Sequence, residues 1–248
     1  PMDVEAEDAA LAVKCAILRL HKFGEWQRTP LDTFFPRPRI LAINPGSTST
    51  KLAIYEGEEE VFAEELQHAA EELEPFEGQK IVAQFEFRKQ AIEDFLRKND
   101  TPVETLDAVS ARGGLVHPIP HGTYAVNERM REDLLSGSRG DHASNLGALI
   151  AHALVGDLDK PAYIVDPVVV DEMDDRGRVT GFKDLVRKPI SHALNQIATA
   201  HRWAHDNETF YEQINVIVCH MGGGISIGAH KHGRFLDVNN ALDGEGPF

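Results

Sequence analysis

The 248-residue chain is poor in cysteine, tryptophan and positive charge: two Cys, two Trp, and 25 Lys and Arg against 40 Asp and Glu. Two cysteines, Cys15 and Cys219, cannot form a disulfide framework, and a reducing, cytoplasmic setting is the expectation. No apolar run approaches the ~20 residues needed to span a bilayer. The N-terminal MDVEAEDAALAVK is acidic where a secretory signal would be basic, so neither membrane insertion nor export is expected. A formal net charge of −15 argues against nucleic acid and anionic membrane surfaces as partners. Much of that charge lies between Glu56 and Glu77, a stretch of ten Glu with no Lys or Arg, which reads as a solvated face. A chain so charged must hold any polyanionic ligand with local donors. Glycine turns and single Arg and His residues are therefore the places to search.

What is present is ordinary globular material, 42% hydrophobic, which excludes wholesale disorder. Residues 1–38 stand apart. Ala10, Val13, Ile17 and Leu20 form an apolar stripe at helical spacing, and Trp26 to Pro38 is broken by prolines, so a docking helix and linker are expected. From Arg39 the pattern turns to strands: Arg39 to Asn44, Lys51 to Tyr55, and Val61-Phe62 beyond a turn at Gly57. Helices are predicted at 86–98, with Ile92, Phe95 and Leu96 on one face, at 142–156, and at 191–206 with Ser191 as N-cap. Short strands are predicted at Ala108 to Ser110, Ala162 to Val165 and Ile214 to Cys219.

The organisation contains a repeat. Ile214 to Val238 reads strand, glycine turn, strand, tight turn, strand, as Ile40 to Phe62 does; a shift of 176 residues lays Asn44 on His220, Gly46 on Gly222 and Gly57 on Gly233. This predicts two related lobes, each offering a hairpin loop. The loop NPGSTSTK at 44–51 supplies free amides, four hydroxyls and a Lys; MGGGIS at 221–226 supplies three successive glycines. Such turns make anion-binding concavities, although each alone is more often structural. NPGSTSTK is not a Walker loop, because its first Gly is missing and a strand follows. Nor is the triple glycine a dinucleotide fingerprint: position 227 is Ile and the following residues alternate like a strand.

Paired glycine hairpins in duplicated lobes resemble the acetate kinase, sugar kinase, Hsp70 and actin superfamily. The strings INPGSTSTK (43–51), RGGLVHPIP (112–120), HASNLGA (142–148), VDPVVVDEM (165–173), SHALNQ (191–196), HMGGGISI (220–227) and DVNNALDGEGPF (237–248) resemble butyrate kinases from Arg39 to the end of the chain. The resemblance implies an α/β fold of duplicated actin-like, ribonuclease H-like lobes with a cleft between them. The first lobe would occupy 39–167 and the start of a second, incomplete lobe 168–248. It further implies ATP and Mg²⁺, a short-chain fatty acid as acceptor, and homo-oligomerisation in a full-length protein.

By the same resemblance Arg112 forks onto the acceptor carboxylate or phosphate, and His192 contacts the transferring phosphoryl group. His142 lies near that group, or else caps a helix. Asp166 acts near the metal or the acceptor, or else simply forms an Asp-Pro turn. Asn44, Gly46, Ser47, Thr48, Ser49 and Lys51 would hold phosphate in the first loop, and His220, Gly222, Gly223 and Gly224 in the second. Two other readings stay open: a fragment that binds phosphate or nucleotide without turnover, and a related acetate or propionate kinase.

Overall fold

The computed structural model describes residues 37–57, 59–222 and 224–241. The expected N-terminal helix, Gly223 and the segment 242–248 lie outside the described residues. The chain divides into two compact units. The first comprises the described residues up to Val116 together with Thr123–Val165; the second comprises His117–Gly122 and the chain from Asp166 onward.

The first unit is built on a six-stranded sheet of order β3-β2-β1-β4-β6-β5. Its strands are β1 (Arg39–Pro45), β2 (Ser49–Glu56), β3 (Glu59–Gln67), β4 (Ala108–Arg112), β5 (Thr123–Ala125) and β6 (Ala162–Val165). The first three form an antiparallel meander, whereas β4 runs parallel to β1, and β6 parallel to β4. Parallel neighbours need long crossovers, and helices supply them. They are α1 (Ala70–Leu73, a single turn), α2 (Phe85–Lys98), α3 (Glu128–Ser136) and α4 (Asn145–Val155). The alternation of β1 and β2 sends Leu41, Ile43, Leu52 and Ile54 into one core with Ile92, Phe95 and Leu96 of α2 and Leu146 and Ile150 of α4. The opposite alternation buries Ile40, Ala42, Ala53 and Tyr55. The glutamate-rich stretch begins as the exposed edge strand β3, where charge discourages pairing with another chain.

Three elements escape the sequence reading: β5, the single turn α1, and α3. The last is short and only Leu134 is buried, but Asn127 Oδ1 accepts from the Met130 N–H at its start and Gly137 closes it in the left-handed region. Helix α4 begins at Asn145, later than the predicted 142, because Ser144 turns its amide onto His142 Nδ1.

The second unit holds the sheet β7 (Asn215–Met221), β8 (Ile225–Lys231), β9 (Arg234–Val238), in that order and antiparallel throughout, with α5 (Ala193–Asp206) packed on it. Ala193, Ile197, Ala200 and Ala204 of α5 meet Val218, Phe235, Val238 and Tyr211. The helix starts two residues after the predicted cap. His192 occupies the N-cap position without a capping bond, and Ser191 Oγ is buried with no hydrogen-bond partner among the described residues.

The repeat seen in the sequence is present in the pairing. Strand β7 lies 176 residues after β1, end for end. Both loops close on themselves, with Gly46 N–H donating to Ser49 O at 2.8 Å and Gly222 N–H to Gly224 O at 3.1 Å. Both second strands carry a bulge before the tight turn, at Ile54/Tyr55 and at Ala229/His230. The second loop is one residue shorter: Asn44 pairs with Lys51, but His220 pairs with Ser226.

Candidate functional site

In the first unit the site is the loop between β1 and β2. Asn44 stands near the end of β1, and its Oδ1 is buried with no hydrogen-bond partner among the described residues. A buried orphan acceptor at a loop is a functional signal more than a packing solution. A Cβ at Gly46 would meet nothing closer than 3.5 Å, so the fold itself does not demand glycine there; close approach of a ligand to the backbone would.

The loop's shape is held from behind by Arg88, a residue the sequence reading missed. Arg88 lies on α2 in line with Ile92 and Phe95 and is 0% exposed. Its guanidinium donates to Gly46 O (2.8 Å), Ser47 O (2.9 Å), Ser49 O (3.0 Å) and Thr50 Oγ1 (3.1 Å), and its Nε to Gln84 Oε1 (2.9 Å). Burial pushes its pKa down to about 10, which leaves it charged at neutral pH. The planar fork suits this task, since one guanidinium can satisfy several carbonyls that an ammonium could not reach together. With the carbonyls bound inward, the Ser47 and Thr48 amides have no acceptor among the described residues. His68 completes the support: its Nε2 lies 2.9 Å from Thr50 Oγ1, and burial followed by the Arg88 charge lowers its pKa. A cation inside an otherwise apolar helical stripe is the sequence signal that could have exposed Arg88.

Arg112 ends β4. The turn that follows depends on Gly114, where a Cβ would come within 2.7 Å of the Asn145 backbone. Asn145 binds this turn to α4, with Oδ1 accepting from Leu115 N–H at 2.9 Å and Nδ2 donating to Gly140 O at 2.9 Å. His142 precedes α4. Its Nδ1 accepts from Ser144 N–H at 3.2 Å and lies 2.9 Å from Ser144 Oγ, so its proton resides on Nε2. Burial and then the charge of Arg112 hold its pKa below the ordinary histidine value. Arg112 and His142 thus form a cation beside a neutral donor.

In the second unit the predicted residues gather around the glycine turn. The rings of His192 and His220 stack, with centroids 3.8 Å apart and planes 15° from parallel. His220 Nδ1 donates to Asn195 Oδ1 at 3.0 Å, and His192 Nδ1 meets Ser226 Oγ at 2.9 Å. Both Nε2 edges face the turn: a Cβ at Gly222 would sit 3.3 Å from His220 Nε2, and one at Gly224 3.3 Å from His192 Nε2. Gly223 lies outside the described residues. Asp166 is 1% exposed with a positive φ of 37°, Oδ1 accepting from Gly122 N–H at 2.7 Å and its own N–H donating to Gly122 O at 2.9 Å. It therefore does form the turn before Pro167. Asn195, Gln196 and Ser226 fall within the strings SHALNQ and HMGGGISI but had no role assigned to them, because their partners are far away along the chain. Among the described residues no group of three or more His, Cys, Asp or Glu could hold a metal ion, and no helix is long and apolar enough to cross a membrane.

No protein-family model matches the chain. Among known proteins it is 55% identical over 210 residues to butyrate kinase 1 of Clostridium acetobutylicum, covering 85% of this chain and 59% of that protein. It is 54% identical over 210 residues to butyrate kinase 2 of the same organism, again over 85% of this chain and 58% of that protein. The chain thus spans less than two-thirds of the length of these relatives. Among solved structures it resembles the acetate kinase of Porphyromonas gingivalis, with a TM-score of 0.58 and 16% identity over 82% of this chain and 57% of that one. A propionate kinase from Francisella tularensis subsp. tularensis gives a TM-score of 0.57 and 16% identity over 83% of this chain and 58% of that one. At such low identity these structures establish the fold, the duplicated α/β architecture of the acetate kinases. Over those 210 residues the chain is a homologue of these butyrate kinases.

Proposed function

We propose that these residues form the phosphate- and acceptor-binding part of an ATP-dependent carboxylate kinase. It would pass the γ-phosphoryl group of ATP to butyrate or a branched short-chain fatty acid, giving an acyl phosphate and ADP, reversibly. The observation that carries this reading is the loop at 46–50: its carbonyls are bound by a buried arginine, and the Ser47 and Thr48 amides are left for an anion. Preorganised donors of this kind stabilise charge without reorganisation at the moment of transfer. Ser47, Thr48, Ser49, Lys51 and Asn44 would hold phosphate oxygens. Arg112 would fork onto the carboxylate or the moving phosphoryl group, with the His142 Nε2–H as a second donor. In the second unit His192 and the glycines 222–224 would offer donors to phosphate, and His220 would orient that loop.

Mg²⁺ would neutralise the charge of the nucleotide phosphates. Mg²⁺ of this kind keeps several waters and takes only one or two carboxylates, so the single buried Asp166 fits it and a preformed cage is not required. We place the activity in the cytoplasm, and in a homo-oligomer at the relatives' full length.

Trapping of acyl phosphate as hydroxamate, with Mg-ATP and butyrate beside acetate, tests the reading. Hydroxamate formed faster from butyrate, and lowered about 10²–10³-fold by Arg112→Ala as when an oxyanion donor is removed, is the expected result. Equal turnover in Arg112→Ala would strike Arg112 from its role. Nucleotide binding without hydroxamate, on this chain and on one of the relatives' length, would reduce the function to phosphate binding.

A further inference from the structure

The buried face of β8 should be apolar, and it is not. Ser226, Gly228 and His230 alternate on it, covered by α5, and burying polar groups there is costly unless every one of them is satisfied. They are satisfied in a line. We propose that the side chains Tyr211, His230, Gln196 and Ser226 form a directional hydrogen-bond chain that fixes the tautomer of His192, keeping its proton on Nε2 so that this nitrogen donates without carrying charge.

The direction follows atom by atom. Gln196 Nε2 donates to Ser226 Oγ at 2.7 Å, and the His192 backbone N–H reaches the same oxygen at 3.4 Å. With two N–H groups on its lone pairs, the hydroxyl gives its own proton to His192 Nδ1, 2.9 Å away. His192 Nδ1 is then an acceptor and Nε2 bears the proton. At the other end, Gln196 Oε1 lies 3.1 Å from His230 Nε2. A carbonyl oxygen only accepts, so that nitrogen is protonated. His230 stacks on Phe235 with centroids 4.4 Å apart, and burial pushes its pKa down to about 4. The ring is therefore neutral at physiological pH, and its Nδ1 accepts from Tyr211 OH at 2.7 Å.

Every member but Tyr211 lies on or next to α5 and β8, and all four are at most 2% exposed. Room for the amide is made by Gly228, where a Cβ would stand 2.1 Å from Gln196 Oε1. The stacked neighbour is set the opposite way: His220 Nδ1 donates to Asn195 Oδ1, so a neutral His220 presents an acceptor at Nε2. The glycine turn is thus faced by one donor and one acceptor. His192 is the member of the pair fitted to a phosphoryl oxygen. This deepens the kinase reading of His192, while the chain itself can be tested without any substrate.

The test is long-range ¹H–¹⁵N correlation of the imidazoles in the ¹⁵N-histidine-labelled protein, at a pH above the histidine range. His192 is assigned by the signals lost in His192→Asn. The expected pattern is an unprotonated Nδ1 and a protonated Nε2. The reverse pattern in the unaltered protein would overturn the proposal with no variant needed, and would leave the kinase reading standing. Gln196→Glu keeps the shape but can only accept; Ser226 must then donate to the carboxylate, and His192 is expected to move its proton to Nδ1. Ser226→Ala, a smaller change should the buried carboxylate prevent folding, is expected to leave His192 a mixture of tautomers. An unchanged Nε2–H signature in the folded variants would show that the chain does not set it. Hydroxamate assays on the same proteins, absent in all of them, would count against the kinase reading alone.

Discussion

The meanders β1–β2–β3 and β7–β8–β9 share their spacing, loop closure and bulge, yet they stand differently toward solvent. In the first, Leu41, Ile43, Leu52 and Ile54 are buried against α2 and α4. The pairing matches them to Ile217, Cys219, Ile227 and Ala229 of the second, where Ile217 is 73% and Ile227 49% exposed. Met221 and Ile225 extend that apolar face. The side-chain character is thus retained where the covering layer is not among the described residues. Strand alternation commits a face to being apolar, but only neighbouring helices make that commitment stabilising. The opposite faces differ in chemistry as well: Ala53 and Tyr55 fill theirs, whereas Gly228 and His230 open a polar line toward His192.

Four experiments would break or sharpen this contrast. The largest effect is expected from Arg88→Met, which strands three loop carbonyls. A loss of about 4 kcal/mol in urea unfolding is expected, since each orphaned buried acceptor costs roughly 1–3 kcal/mol. Undiminished stability would mean that the loop does not depend on the clamp.

Next, Leu52→Ala is expected to cost about 3 kcal/mol and the matched Ile227→Ala under about 1 kcal/mol. Equal losses would show that the second face is covered after all.

Acid should act on the second unit through His230. Its pKa is about 4 when folded against about 6.5 in an unfolded chain. The unfolded state therefore binds the proton first, and stability present above pH 6.5 is lost as pH falls toward 4, on the order of 2–3 kcal/mol. Urea titrations of the protein and of His230→Gln across that window check it: the variant should lack this part of the slope.

The smallest effects concern the helix starts. Asn127→Ala should cost about 1 kcal/mol through its lost cap. Ser191→Ala, at the predicted but unused cap, should be neutral or slightly stabilising, because its buried hydroxyl has no partner to lose among the described residues.

What the sequence revealed was periodic or repeated. The alternation of β1 and β7, the helical stripe of α2, and the shift of 176 residues between the meanders are each readable without knowing any contact. The candidate residues Asn44, Arg112, His142, Asp166, His192 and His220 were singled out chiefly by the family resemblance, and all of them lie beside turns or at element ends. Hidden were the residues that hold them. Arg88 acts on a loop some forty positions earlier, and Gln196 joins Ser226 to His230 across 30 and 34 positions. Their importance comes from which buried atoms they satisfy, a property of three-dimensional packing: Arg88 stands out locally only as a cation in an apolar stripe, and Gln196 leaves no local pattern. Helix α3 went unseen because its few apolar residues make no clear stripe, though Asn127 and Gly137 marked both of its ends.

The seat of Arg88 has an evolutionary consequence. Four of its five bonds go to residues 46–50, and three of those go to backbone carbonyls that any side chain would leave in place. Substitutions within the loop can therefore accumulate so long as its backbone path survives, while the arginine has no such freedom. An insertion or deletion in 46–50 would need a compensating change on α2. Among homologues, the length of this loop and the identity of position 88 should be inherited as one character.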